Sequence, residues 1–165
     1  MDQFDAPQDR FVQATTVLTV IVFSVLFLIF ASSDNSQGLA LVVIIGIPLL
    51  VLCYVFAPSG YSVTESDILI HRKVGSVRVP LSSVTSIEQD PVACPFWGVR
   101  TYGVSGLFGY FGKFNNKHLG PHRMYVTDRS KAVVIKANKT YVISPDDPQQ
   151  FIQIAKARME LKRSE

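Results

Sequence analysis

The residues that could do chemistry in this chain crowd into one stretch, 91–122. Pro91, Pro95, Phe96 and Trp97 lead into Tyr102, Phe108, Tyr110, Phe111 and Phe114, spaced by Gly98, Gly103, Gly106, Gly109 and Gly112. Arg100, Lys113, Lys117, His118, His122 and Arg123 stand beside them. Rings next to cations describe either a wedge at a membrane interface or a surface for a protein partner. A third reading is plain packing, with the rings covering an open end of the neighbouring β structure. The sequence leaves all three open. The candidate partner- or lipid-binding residues are Trp97, Arg100, Tyr102, Phe108, Tyr110, Phe111, Lys113, Lys117, His118 and Arg123. At this length the stretch is expected to be a long connection rather than a routine strand link, and long connections often carry function.

Catalytic chemistry finds little support. His118 and His122 have the four-residue spacing of two ligands on a helix, but Gly120-Pro121 between them prevents a regular helix. No cysteine or carboxylate lies near enough in sequence to complete a metal site. The glycines of 103–112 suggest a phosphate loop, yet the Gly-Lys-Ser/Thr ending is missing and bulky rings occupy the intervening positions. There is no Gly-x-Ser-x-Gly elbow, and Cys94 sits beside Pro95 without a nearby base. The expectation is a non-enzymatic protein with no catalytic residue, no metal and no cofactor.

The elements that must position this stretch begin with two apolar runs, 11–31 and 39–57, of 21 and 19 residues, neither holding a charged side chain. At ~1.5 Å per residue each helix spans about 30 Å, the thickness of a bilayer's hydrocarbon core. In lipid such a run must be helical, because only then is every backbone polar group paired within the segment. Seven residues, 32–38, separate the runs, so a tight antiparallel hairpin is expected. A cleaved signal peptide fits poorly: Asp2, Asp5 and Asp9 precede the run against one Arg10, and Ala31-Ser32-Ser33 is a weak cleavage site. Two buried helices of a soluble protein would show a polar edge, which is missing. The loop 32–38 has no Lys or Arg, whereas Arg10, His71, Arg72, Lys73 and Arg78 flank the other side. Basic flanks favour the cytoplasm, so a two-helix, multi-pass protein of the inner membrane with both termini cytoplasmic is expected. Cys53 and Cys94 lie in different parts of the chain, as befits two reduced thiols.

Within the hairpin Thr15, Thr16, Thr19 and Ser24 are the polar residues of the first helix, and Gly46 and Pro48 interrupt the second. Hydroxyls there can bond their own backbone or a neighbour, Gly46 permits close approach and Pro48 a kink. No ionisable residue marks a transport path. Residues 58–165 carry 15 Lys and Arg against 9 Asp and Glu, a net +6, while 1–57 carry −3. Those cations are scattered, so anionic lipid headgroups are a secondary expectation and nucleic acid is not expected.

Residues 61–65 and 68–74 read as a β-hairpin turning at Ser66-Asp67; 76–88 reads as a strand bent at Pro80. A weaker strand covers 99–104, and clear ones cover 123–127, 132–136 and 140–144. Ser144 as cap, Pro145 at the first position and Asp146 and Asp147 in the first turn predict a closing helix with Phe151, Ile152, Ala155 and Met159 on its apolar face.

The order of these elements, with Tyr61-Ser-Val-Thr-Glu-Ser-Asp-Ile-Leu-Ile-His-Arg, Val79-Pro-Leu-Ser-Ser-Val-Thr-Ser-Ile-Glu88, Gly106-Leu-Phe-Gly-Tyr-Phe-Gly-Lys113 and Ser144-Pro-Asp-Asp-Pro148, resembles bacterial pleckstrin-homology-like (PH-like) domains of the membrane-anchored type. The resemblance implies a seven-stranded antiparallel barrel or two-sheet sandwich capped by a C-terminal helix, without catalysis. Inositol-lipid binding in the wider fold uses basic residues around the first hairpin, where this chain has Glu65 and Asp67. The expected organisation is a tail at 1–10, a transmembrane hairpin at 11–57 and a cytoplasmic PH-like domain at 58–165. The expected function is a membrane-anchored binding or scaffolding module, an accessory subunit for another membrane protein or for itself. The alternative is an anionic-lipid surface sensor using 96–123.

Overall fold

The computed structural model describes residues 2–33, 35–90, 93–94 and 99–163. Two apolar helices, Arg10–Ala31 and Ser36–Phe56, form the hairpin, and each is long and apolar enough to cross a membrane. Almost none of either helix is covered by the rest of the chain: 0% and 17% of their most apolar windows are buried. Asp9 starts the first helix, its carboxylate accepting the Val12 N–H at 2.7 Å, and Asn35 starts the second by accepting from Gly38 N–H at 2.9 Å. Phe23 lies over Gly46 and Phe30 over Gly38, where a Cβ would stand 2.4 and 2.8 Å from the rings. The second helix widens into a π-turn at Val42–Gly46, directly before Pro48. Proline lacks an N–H and crowds the carbonyl four residues back, and the wider turn relieves that conflict.

Among the described residues ten strands follow in the order β1 Asp2–Asp5, β2 Pro58–Val63, β3 Asp67–Arg72, β4 Ser76–Pro80, β5 Ser86–Gln89, β6 Val99–Ser105, β7 Tyr110–Asn116, β8 Gly120–Val126, β9 Val133–Lys136 and β10 Thr140–Ile143. They make a four-stranded sheet, β1-β2-β3-β4, and a six-stranded sheet, β5-β9-β10-β8-β7-β6. The mainly-β domain with a C-terminal helix is as expected. The seven-stranded, wholly antiparallel description is corrected on two counts. β1 comes from the segment taken as a tail, and pairs antiparallel with β2 from Asp2↔Val63 to Asp5↔Gly60. β10 runs parallel to β8, because the β9–β10 hairpin folds back beside it. The single bent strand expected over 76–88 is instead two: Pro80 ends the edge strand β4, where its missing N–H breaks no ladder, and after a 3-10 turn at Leu81–Ser83 β5 joins the other sheet.

Side chains alternate across the strands and divide the six-stranded sheet between two apolar clusters. Val133, Ile135 and Ile143 face the four-stranded sheet and join Tyr61, Val63, Ile68, Ile70 and Val79 in the main core. Val134, Val142, Met124 and Val126 face the other way, under Val12 of the first helix and Ala93 and Cys94. The closing helix, Pro148–Arg163, lays Phe151, Ala155 and Met159 into the main core. Its start lies three residues beyond the one that Ser144 and Pro145 predict. Asp147 accepts the Gln150 N–H at 2.9 Å and Pro148 takes the first position. Ser144 is buried instead, its hydroxyl accepting the N–H groups of Thr127 at 2.9 Å and Asp128 at 3.2 Å. It ties the end of β10 to the exit of β8.

Phe4 anchors β1: it is 6% exposed and meets Phe151 edge-on with centroids 5.2 Å apart. Arg158 on the closing helix donates to the Val63 carbonyl at 2.7 Å and to the Asp2 carboxylate, fastening both paired strands. Removing a buried phenylalanine ring costs about 3 kcal/mol or more. Phe4→Ala is therefore expected to lower the unfolding temperature of the β domain clearly in detergent, whereas the exposed Gln3→Ala leaves it nearly unchanged.

Candidate functional site

The stretch expected to be a long connection contains two of the longest strands. β6 and β7 form a hairpin with Tyr102↔Lys113, Gly103↔Gly112, Val104↔Phe111 and Ser105↔Tyr110 opposed, and β8 continues the sheet from Asn116↔Gly120. The glycines that read as loop are instead what lets the strands approach. A Cβ on Gly103, whose φ is +148°, would stand 2.3 Å from the Phe111 carbonyl oxygen. The hairpin turns at 106–109, closed by Gly106 N–H donating to Gly109 O at 2.9 Å, with Phe108 at φ +57°.

That turn grips the apolar helices. The Thr15 hydroxyl lies 2.6 Å from the Gly106 carbonyl oxygen and the Thr16 hydroxyl accepts the Phe108 N–H at 3.0 Å. Phe108 meets Tyr54 of the second helix edge-on at 5.4 Å, and Phe111 packs on Cys53 and Ala57. Thr19 and Ser24 bond their own helix at Thr15 O and Val20 O, as the Thr15 hydroxyl also can at Phe11 O, 2.8 Å away. The sequence showed that these hydroxyls were available; which two face a partner depends on how the β domain sits, and no local signal encodes that.

A second joint lies at the start of the first helix. Asp9 N–H donates to Thr127 O at 2.9 Å, and the Arg129 guanidinium approaches the Asp9 carboxylate at 3.5 Å. Arg129 also lies over the rings of Phe11 and Tyr110, at 5.4 and 5.1 Å. A third joint involves the β3–β4 turn. Arg72 lies 5.4 Å from the Phe56 ring, Lys73 lies 5.6 Å from that of Tyr54, and Val74 N–H reaches Val55 O at 3.4 Å. Asp9, Arg129, Arg72 and Phe56 were not among the sequence candidates, because their roles come from contacts across the whole chain.

The candidates separate by chemistry. Phe108, Tyr110 and Phe111 are packed against the hairpin or the sheet. Lys113 and Lys117 are exposed, and Arg123 is half-buried opposite Lys113. His118 is exposed and pairs with Asp90, Nε2 to Oδ2 at 2.6 Å. Arg100 and Tyr102 stand on β6 opposite Phe114 and Lys113. Trp97 lies outside the described residues, as do Pro91, Pro95, Phe96 and Gly98. Among the described residues no three His, Cys, Asp or Glu side chains gather as a metal site.

Behind Tyr110 lies a cavity of about 230 Å³ lined in part by Cys94, Tyr110, His122 and Arg129. Burial pushes the Cys94 thiol up to about 12, with Arg129 opposing and Asp90 adding, so it stays protonated at neutral pH. Burial likewise raises the Tyr110 phenol to about 12, with Asp9 adding to the rise and Arg129 opposing it. His122 stacks on Phe114 at 6.3 Å, and Nδ1 lies 2.8 Å from Gly120 O, which places the proton on Nδ1. Burial lowers its pKa, and the Gly120 bond opposes that only in part.

Two outcomes follow for stability. Gly103→Ala combines a forbidden φ with a backbone clash and is expected to cost about 3 kcal/mol; Gly120→Ala, at φ +66° with open space around it, should cost about 1 kcal/mol. Thermal unfolding of the two variants checks the order. For His122 the unfolded chain takes up a proton below about pH 6.5 that the folded chain resists, so stability falls as pH drops through that value. Between about pH 7 and 5.5 the unfolding temperature should fall more steeply for the native protein than for His122→Gln.

No match was found among curated proteins, and none among solved structures. Residues 59–159 match the family model for the bacterial PH domain. That span runs from β2 to the buried Met159 of the closing helix, so it covers both sheets except β1 and leaves out the apolar hairpin. The chain belongs to the bacterial PH domain family, here with an apolar two-helix hairpin joined to the domain at three places.

Proposed function

We propose that this protein is a non-enzymatic binding or scaffolding module held in the inner membrane by its two apolar helices. Its PH-like domain is presented in one orientation on the cytoplasmic side to a membrane protein partner or a second copy. The observation that carries this reading is the grip of the 106–109 turn on Thr15 and Thr16. A domain on a loose tether samples many orientations. One fastened to both helices loses less orientational freedom when a partner in the same plane binds.

The topology is supported from two directions. β1 and β2 pair across the hairpin, so its two ends lie on the same side of whatever it crosses. Arg10, Arg72 and Lys73 flank that side, and the loop 32–38 has no basic residue. The anionic-lipid reading draws on Lys113 and Arg123, which face each other across β7 and β8 beside the hairpin.

The test is cross-linking of the full-length protein in native membranes, combined with protease digestion of vesicles of each orientation. The expected result is resistance to carbonate extraction, cleavage of the β domain only where the cytoplasmic face is exposed, and one recurring protein neighbour. Carbonate release, or digestion from the outer face, overturns the anchoring. Absence of a recurring neighbour, with retention that scales with anionic lipid, favours the lipid sensor.

A further inference from the structure

Beside the grip on Thr15 and Thr16 the second helix leaves an open crevice of about 680 Å³ against the face of the six-stranded sheet. Leu49, Leu52 and Phe56 form the helical wall, and Val104, Phe111 and Tyr125 the sheet wall. Arg72, the last residue of β3, completes the lining as its one charged side chain among the described residues. Its guanidinium lies over the Phe56 ring, while its Nε is buried and has no hydrogen-bond acceptor among the described residues. A charged donor withdrawn from water without an acceptor is costly, and the group that would satisfy it is an anion.

Two further cations lie on the same face. Phe111 and Lys113 are two apart on β7, and Tyr125 and Arg123 two apart on β8, so the Lys113–Arg123 row borders the Phe111–Tyr125 row at roughly 7 Å. The crevice is thus apolar at its walls and cationic at Arg72 and along one border.

Its depth indicates the occupant. Seven residues separate Thr16 from Phe23 and Cys53 from Gly46, so the contact of Phe23 with Gly46 puts Thr16 and Cys53 at one level, about one turn inside the apolar helices. Phe56, under Arg72, lies at the helix end. Leu52 and Leu49 lie about 6 and 10 Å further in along the axis. Both are more than half exposed, so the crevice opens sideways onto the surface that the bilayer would cover. A molecule entering there has to be apolar along its length and anionic at one end.

We propose that this crevice holds one anionic phospholipid from the adjoining leaflet, its phosphate at the Arg72 guanidinium with Lys113 and Arg123 at the border, and an acyl chain along Leu52 and Leu49. The site rests on the membrane-spanning reading of the hairpin. It makes the lipid a filler of the joint between anchor and domain, and it lies away from the Glu65–Asp67 turn.

The experiment uses full-length protein reconstituted in phosphatidylcholine vesicles holding a minor share of phosphatidylglycerol, then extracted and weighed by native mass spectrometry. The native protein should retain one phosphatidylglycerol per chain in preference to phosphatidylcholine. Arg72→Gln should weaken that retention about tenfold or more, the size of a lost charge-assisted bond. Arg72→Lys should fall between, and Lys136→Gln, on the far strand β9, should match the native protein. Arg72→Gln is also expected to keep the unfolding temperature of the native protein in lipid-free detergent, which separates a lost site from a lost fold. Equal retention of the two lipids, or undiminished retention by Arg72→Gln in a folded protein, overturns the proposal. Carbonate release from the vesicles overturns the anchoring with it, whereas resistant insertion without lipid preference overturns the lipid site alone.

Discussion

The antiparallel pairing of β1 with β2 closes the chain around its apolar hairpin, and much of the architecture depends on it. Residues 2–5 precede both helices and 60–63 follow them, so the ladder from Asp2↔Val63 to Asp5↔Gly60 forces the two helix ends together. Phe4 then completes the core beneath the closing helix, and Arg158 reaches across to both strands. The consequence is that the PH-like domain is built from both sides of the hairpin. Without residues 2–5 the part of the chain after the hairpin would lose the strand that covers β2 and the Phe4 ring that completes its core.

Given that closure, the contacts between hairpin and domain become geometrically coupled. The 106–109 turn meets Thr15 and Thr16, Arg129 meets Asp9, and the β3–β4 turn meets Tyr54 and Phe56. Single contacts of this kind are modest. A loose ion pair such as Arg129–Asp9, at 3.5 Å, contributes about 1 kcal/mol, and a hydrogen bond about 1 kcal/mol net. Three joints around the base of a two-helix hairpin nevertheless oppose bending in different directions, which a single linker cannot do. Position, more than bond strength, makes the domain and the hairpin one unit.

Local sequence accounts for the apolar helices, the strands around Ile68, Val134 and Val142, the break at Pro80 and the apolar stripe of Phe151, Ala155 and Met159. These are local: periodicity, uninterrupted hydropathy and proline chemistry act within a few residues. The errors fall where a long-range partner overrides a local preference. Ser144 looks like a helix cap, but two N–H groups from the exit of β8 claim its hydroxyl. The glycines from 103 to 112 look like a loop, but two of them face each other across a tight ladder. Asp2–Asp5 is too short and acidic to read as a strand, and becomes one because β2 offers an edge and Phe151 a pocket for Phe4.

Sequence alone settled that the chain has two stretches of bilayer length, a basic β-rich part and a closing helix, because backbone pairing in lipid and side-chain alternation are properties of consecutive residues. Tertiary structure alone decided which hydroxyls hold the domain and which rings are buried. It also decided that Arg72 ends beside an apolar crevice with a buried donor unmatched among the described residues. Such outcomes depend on distances between residues tens of positions apart. Those distances are set only when the two sheets, the hairpin and the N-terminal strand are packed together.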